Sequence, residues 1–168
     1  MRFATRLASI AALTLANFST TFATLPIQAG KYGIVSQRTA TFLQAADNST
    51  ALFAFSTDIP PPHPTIFTLI PGIEGGFTLK LESLGGEYVT RHANEETSVG
   101  YVVGPGWAAL DWGISPAGDG TYVIKVIDRD VVWTADPPGG PISKIILAPA
   151  TGQKAQTFRF VKYPFESQ

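Results

Sequence analysis

Cysteine is absent from this chain of 168 residues. Its absence excludes a thiol nucleophile, a cysteine-ligated metal and any disulfide-framed scaffold, so the fold must rest on core packing alone. Charge is sparse as well. Charged residues make up 15% of the chain and the formal net charge is −1. No basic stripe is available to follow a nucleic acid. Histidine occurs twice, as His63 and His92, and neither belongs to a ligand set at metal-binding spacing. No Gly-x-Ser-x-Gly elbow is present, and no glycine-rich stretch runs into the Lys-Ser/Thr of a phosphate loop. The acidic pairs Glu95–Glu96 and Asp128/Asp130 fall in hairpin loops, where solvated turns account for them. No apolar run is long enough to span a bilayer. These absences point to binding rather than catalysis, with no cofactor and no metal.

What is present begins with a leader. Arg2 and Arg6 precede the short apolar run Leu7 to Ala16, and Thr21-Phe22-Ala23 offers small residues for a signal peptidase. The expectation is a signal peptide over 1–23 and a secreted, extracellular mature domain over 24–168. Loss of Arg2 and Arg6 takes the net charge from −1 to −3. A domain of that length can bury an adequate core without disulfides, and 45% of the residues are hydrophobic.

The mature chain repeats. Gly30-Lys31-Tyr32-Gly33-Ile34 matches Gly75-Gly76-Phe77-Thr78-Leu79 and Gly120-Thr121-Tyr122-Val123-Ile124, at a step of 45 residues. Three further lines recur with nearly the same step. Phe42, Tyr88 and Trp133 form one. Phe53 and Phe55 match Val99 and Tyr101, then Ile145 and Leu147. Phe67 and Leu69 match Trp112 and Ile114, then Phe158 and Phe160. Each segment alternates apolar and other residues, the mark of a strand with one buried face. Turn formers separate them, among them Pro60-Pro61-Pro62, Gly104-Pro105-Gly106 and the run Asp136 to Pro141. No mature segment keeps a helical period.

Four strands in each of three units give twelve. A closed barrel removes exposed edges and buries one face of each strand. Three units are too few for a propeller. The sequence therefore predicts an all-β domain, a β-trefoil, with repeats at about 28–71, 72–116 and 117–164. The Tyr/Phe/Tyr and Phe/Trp/Phe lines are expected to converge on the pseudo-threefold axis as core.

Function then falls to the loops, which a stiff barrel holds ready for a partner. The stretch Asp58 to Pro64 is unusually proline-rich, favouring a preorganised extended backbone. Asn48-Ser49-Thr50 is a glycosylation sequon in a loop. Trp107 falls outside the repeat pattern.

The segments Ala29 to Ile34, Leu110-Asp111-Trp112-Gly113-Ile114-Ser115-Pro116, Ile145 to Pro149 and Gln156-Thr157-Phe158-Arg159-Phe160 frame nearly the whole mature chain. In this layout the chain resembles the fungal β-trefoil protease inhibitors, nearest to the mushroom serine protease inhibitors called mycospins. The resemblance implies an extracellular serine-type endopeptidase as partner, blocked by an exposed hairpin loop that presents a basic residue. Arg38, in Ser36-Gln37-Arg38-Thr39, and Arg91 are the basic loop candidates; the second loop of the first unit offers Asn48 instead. The alternative is a carbohydrate-binding lectin of ricin-B type, whose Gln-x-Trp is approximated only by Gln156-Thr157-Phe158. There Trp107 and Asp111 are the candidate sugar-binding residues and a glycan the partner. A monomer is expected in either case, with no nucleic acid and no membrane as partner after leader removal.

Overall fold

In the computed structural model, residues 25–45, 51–55, 64–82, 86–91, 99–102, 109–136 and 142–164 are described. The leader over 1–23, the sequon at Asn48, the histidines His63 and His92, and Trp107 lie outside them.

Twelve strands follow one another along the chain. The first unit supplies β1 (Gly30–Ser36), β2 (Leu43–Ala45), β3 (Leu52–Phe55) and β4 (Phe67–Pro71). The second supplies β5 (Phe77–Leu81), β6 (Tyr88–Arg91), β7 (Val99–Val102) and β8 (Asp111–Gly118). The third supplies β9 (Thr121–Val126), β10 (Val131–Ala135), β11 (Ile142–Pro149) and β12 (Phe158–Lys162). Among the described residues the only helical piece is the single 3₁₀ turn Lys154–Gln156.

The first and fourth strands of the units pair in a closed ring. β1 pairs β4, β4 pairs β5, β5 pairs β8, β8 pairs β9, β9 pairs β12, and β12 returns to β1, all antiparallel. Ring closure leaves these six strands without a free edge. The second and third strands form the hairpins β2–β3, β6–β7 and β10–β11 over one end of the barrel. There β3, β7 and β11 approach one another, and β11 pairs β3 across units. The opposite, open end carries the β4–β5 turn, the β8–β9 turn and the chain before β1.

The core repeats three times. Ile34, Leu79 and Ile124 are fully buried, as are Phe67, Trp112 and Phe158. Burying a side chain of this size stabilises by about 1.5–3 kcal/mol, which lets a domain without disulfides hold together. Trp133 stands edge-on to Trp112 at 5.2 Å and to Phe158 at 6.1 Å. Of the Tyr/Phe/Tyr line, Tyr32 is buried while Phe77 and Tyr122 are half-buried. Tyr32 and Tyr122 pack edge-on against Phe160. Burial, and next the neighbouring Tyr122, push the Tyr32 phenol above its ordinary range.

Two expected alignments are corrected by the pairing. Val35, Lys80 and Lys125, each 45 residues apart, pair with Phe42, Tyr88 and Val132. The buried line is therefore Leu43, Val89 and Trp133, not Phe42, Tyr88 and Trp133; Tyr88 is 37% exposed. The β5–β6 connection spans one residue more than β1–β2 and β9–β10, and that residue moves the line. In the first unit the buried face of β3 is Leu52 and Ala54, with Phe53 and Phe55 only half-buried. Leu52, Val99 and Ile145 are the true equivalents and all are fully buried. Because side chains alternate along a strand, a slip of one residue exchanges the two faces.

Candidate recognition loops

The turn from β1 to β2 carries Arg38. Ser36 is fully buried and anchors it. The Ser36 N–H donates to the Thr41 carbonyl at 2.9 Å, and the Ala40 N–H donates back to the Ser36 carbonyl at 2.9 Å. The Arg38 N–H donates to Ser36 Oγ at 3.3 Å. Gln37 N–H donates to the Thr157 carbonyl at 3.0 Å, tying the turn to the residue just before β12. Thr41 Oγ1 donates to the Phe55 carbonyl and shares a 2.8 Å bond with Thr39 Oγ1. Ala40 is held at φ 57°, a left-handed conformation that costs a residue with a Cβ roughly 1–2 kcal/mol. The backbone is thus bonded inward while the Arg38 side chain stands in solvent. With Ser36 and Ala40 joined, the chain through Arg38 is a closed turn rather than an extended segment.

Arg91 lies elsewhere. It ends β6, pairs with Val99 and is half-buried. Arg38 and Arg91 sit in different repeats and on different hairpins.

Asp111 opens β8 and is committed to the fold. Its carboxylate accepts the Glu74 N–H at 3.0 Å and the Thr78 hydroxyl at 2.7 Å. The Glu74 amide, and to a smaller degree the Thr78 hydroxyl and the Ile73 amide, hold this carboxyl below the usual aspartate range against a partial desolvation. It braces the β4–β5 turn. Gly72 lies so close that a Cβ there would overlap the Asp111 carboxylate. Gly72 N–H donates to the Gly76 carbonyl at 2.9 Å, and Gly75 takes φ 84°. At the tip of this turn Ile73 is wholly exposed. Sequence reasoning missed this residue; the available signal was an isolated aliphatic inside the turn run Pro71-Gly72-Ile73-Glu74-Gly75-Gly76.

Gln156, from the lectin-like triplet, is buried and fully engaged. Its Oε1 accepts the Thr151 and Gly152 N–H groups, at 2.6 and 3.1 Å. Its Nε2 donates to Thr134 Oγ1 at 3.1 Å and to the Pro149 carbonyl at 2.8 Å. Among the described residues no group of three or more His, Asp or Glu could hold a metal ion.

Comparison with solved structures agrees with the closed ring and its three hairpins. A crystal structure of ThreeFoil, a designed threefold symmetric protein, superposes with a TM-score of 0.63 at 16% identity, covering 78% of this chain and 97% of that one. The protein is a β-trefoil. Two natural trefoils are similar to it over nearly their whole length. The ricin B-like lectin of Macrolepiota procera, solved with lactose, gives 0.64 at 13% identity over 82% of this chain and 99% of its own. A proteinase inhibitor from Coprinopsis cinerea gives 0.63 at 11% identity over 82% and 99%. At these identities the likeness carries the trefoil architecture and nothing finer. No family model matches the chain, and no curated protein matches it by sequence.

Proposed function

We propose that this trefoil is a secreted inhibitor of serine-type endopeptidases that presents Arg38 from the β1–β2 turn. One observation carries the reading: a solvent-exposed arginine on a turn whose backbone groups are bonded to Ser36, Thr41 and Thr157. Such a turn has already lost the freedom that binding would otherwise remove, which favours affinity. Arginine is also a side chain suited to bidentate pairing with a carboxylate at the base of a protease pocket. The closed backbone keeps the peptide out of the extended form a cleft would cut, so Arg38 acts as a side-chain plug.

The test is an inhibition assay of purified protein against trypsin-type endopeptidases. Arg38→Ala raises the inhibition constant by roughly 100-fold, the size expected of an interface hot spot, and Arg91→Ala leaves it within about threefold. Inhibition unchanged in Arg38→Ala removes this site. Sugar binding has less support, because the Asp111 carboxylate and Gln156 are both occupied within the fold. A specific hit on a glycan array with no protease inhibited decides for the lectin.

A further inference from the structure

Exposure and rigidity coincide at one more place. Ile73 is 102% exposed, so its side chain takes no part in holding the fold. Its turn is nevertheless tied down, through the Asp111 carboxylate on the Glu74 amide and the Gly72–Gly76 bond. Other exposed hydrophobics lie at the same end. Among the described residues the exposed large hydrophobics include Leu25, Ile70, Ile73 and Tyr163, and all four belong to the open end of the barrel. Leu25 is fixed there by the Tyr122 hydroxyl, which donates to its carbonyl at 2.8 Å, and Tyr163 by its N–H on the Lys31 carbonyl at 2.8 Å. Scattered exposed aliphatics are ordinary, but a fully projecting one on a braced turn is held ready to meet a partner.

The shape and charge select the occupant. A single projecting side chain fits a pocket rather than a flat face, which disfavours a second copy of this chain. Glu74 stands exposed beside Ile73 and Asp119 is exposed on the neighbouring β8–β9 turn, while the exposed lysines of this end, Lys31 and Lys162, lie on β1 and β12 and Lys31 is paired with Glu82; the side of the barrel end around Ile73 is therefore acidic, which disfavours an anionic lipid surface there. An apolar pocket with a cation at its rim is complementary to both residues.

We propose that the β4–β5 turn is a second recognition loop that seats Ile73 in the apolar primary pocket of an endopeptidase preferring aliphatic side chains, with Glu74 meeting a cation at the pocket rim. The proposal rests on the inhibitor reading and extends it to a different loop at the opposite end of the barrel from Arg38. The two loops then serve two peptidases at once.

The experiment assays the full mature chain against an elastase-type serine endopeptidase and against trypsin, using short peptide substrates. The expected result is inhibition of both. Ile73→Asp weakens elastase inhibition by at least ~30-fold, a hot-spot loss, and leaves trypsin inhibition unchanged; Arg38→Ala does the reverse. Protein saturated with trypsin still captures elastase as a ternary complex in gel filtration. Ile73→Arg in the Arg38→Ala background restores trypsin inhibition, a gain that misfolding cannot imitate. Trypsin inhibition alone, or elastase inhibition indifferent to Ile73→Asp, overturns this inference and leaves the Arg38 reading in place. Inhibition of neither enzyme removes both. Self-association in sedimentation, or binding to neutral phosphatidylcholine vesicles, that depends on Ile73 without any effect on elastase also overturns it.

Discussion

At the residue scale, the same side-chain type does different work according to its partners. Trp112 and Trp133 are both fully buried and stand edge-on to each other. Trp112 Nε1 donates to the Val89 carbonyl at 3.1 Å, whereas Trp133 Nε1 is buried with no hydrogen-bond partner among the described residues. Trp112→Phe is therefore expected to be less stable than Trp133→Phe by about 1 kcal/mol, the net worth of one hydrogen bond, as read from urea unfolding. Asp111 makes a second case. Its folded-state pKa lies below the unfolded value of about 3.9. Its contribution is complete above that value and is lost as pH falls through the folded pKa. Because the group is largely solvated, the contribution is modest, about 1 kcal/mol after screening. Asp111→Asn should lower stability at neutral pH by that amount and flatten the decline below about pH 4, both measurable by denaturant titration. The sequence placed Trp112 in the core, but not its hydrogen bond, and it did not disclose the role of Asp111. Asp111 read as a candidate sugar-binding residue, because Thr78 and Glu74 reach it only through the β5–β8 pairing.

At the element scale, the turns matter more than the strands they join. The β1–β2 turn holds Ala40 at φ 57°, where glycine carries no Cβ penalty. Ala40→Gly relieves that strain but adds freedom to the unfolded chain. The expected net is a stabilisation of about 0.5–1 kcal/mol, seen as a raised thermal midpoint. Unchanged Arg38-dependent inhibition in the same variant shows that the inward hydrogen bonds, not the strain, hold the loop. The strands themselves were legible: alternation located β1, β4, β5, β8, β9 and β12, since each buries one face against a shared interior. The hairpins were less so. Phe53 and Phe55 are the more conspicuous residues of β3, yet Leu52 and Ala54 face inward. A short strand offers two faces, and only its register with Leu43 and Ser143 chooses between them.

At the scale of the whole molecule, ring closure couples everything. β12 touches both β1 and β9, and Phe158 belongs to the core. Removal of residues 157–168 opens two strand edges and leaves a cavity of aromatic size. The shortened chain is expected not to fold, giving an aggregating species by light scattering. The intact domain should unfold as one unit, with tryptophan fluorescence and far-ultraviolet circular dichroism coincident in urea. Two separated transitions would show that the units are independent, contrary to a shared interior.

The chain by itself determined the strand content, the step of 45 residues and hence three units closing on one core, because strand alternation and turn chemistry are local properties. Which face of a hairpin strand is buried, what Asp111 binds, and that Ile73 projects from a braced turn were decided only by the tertiary structure. Register, hairpin span and close approach are relations between segments far apart in the chain, and the free energy that selects them appears only when the barrel has closed.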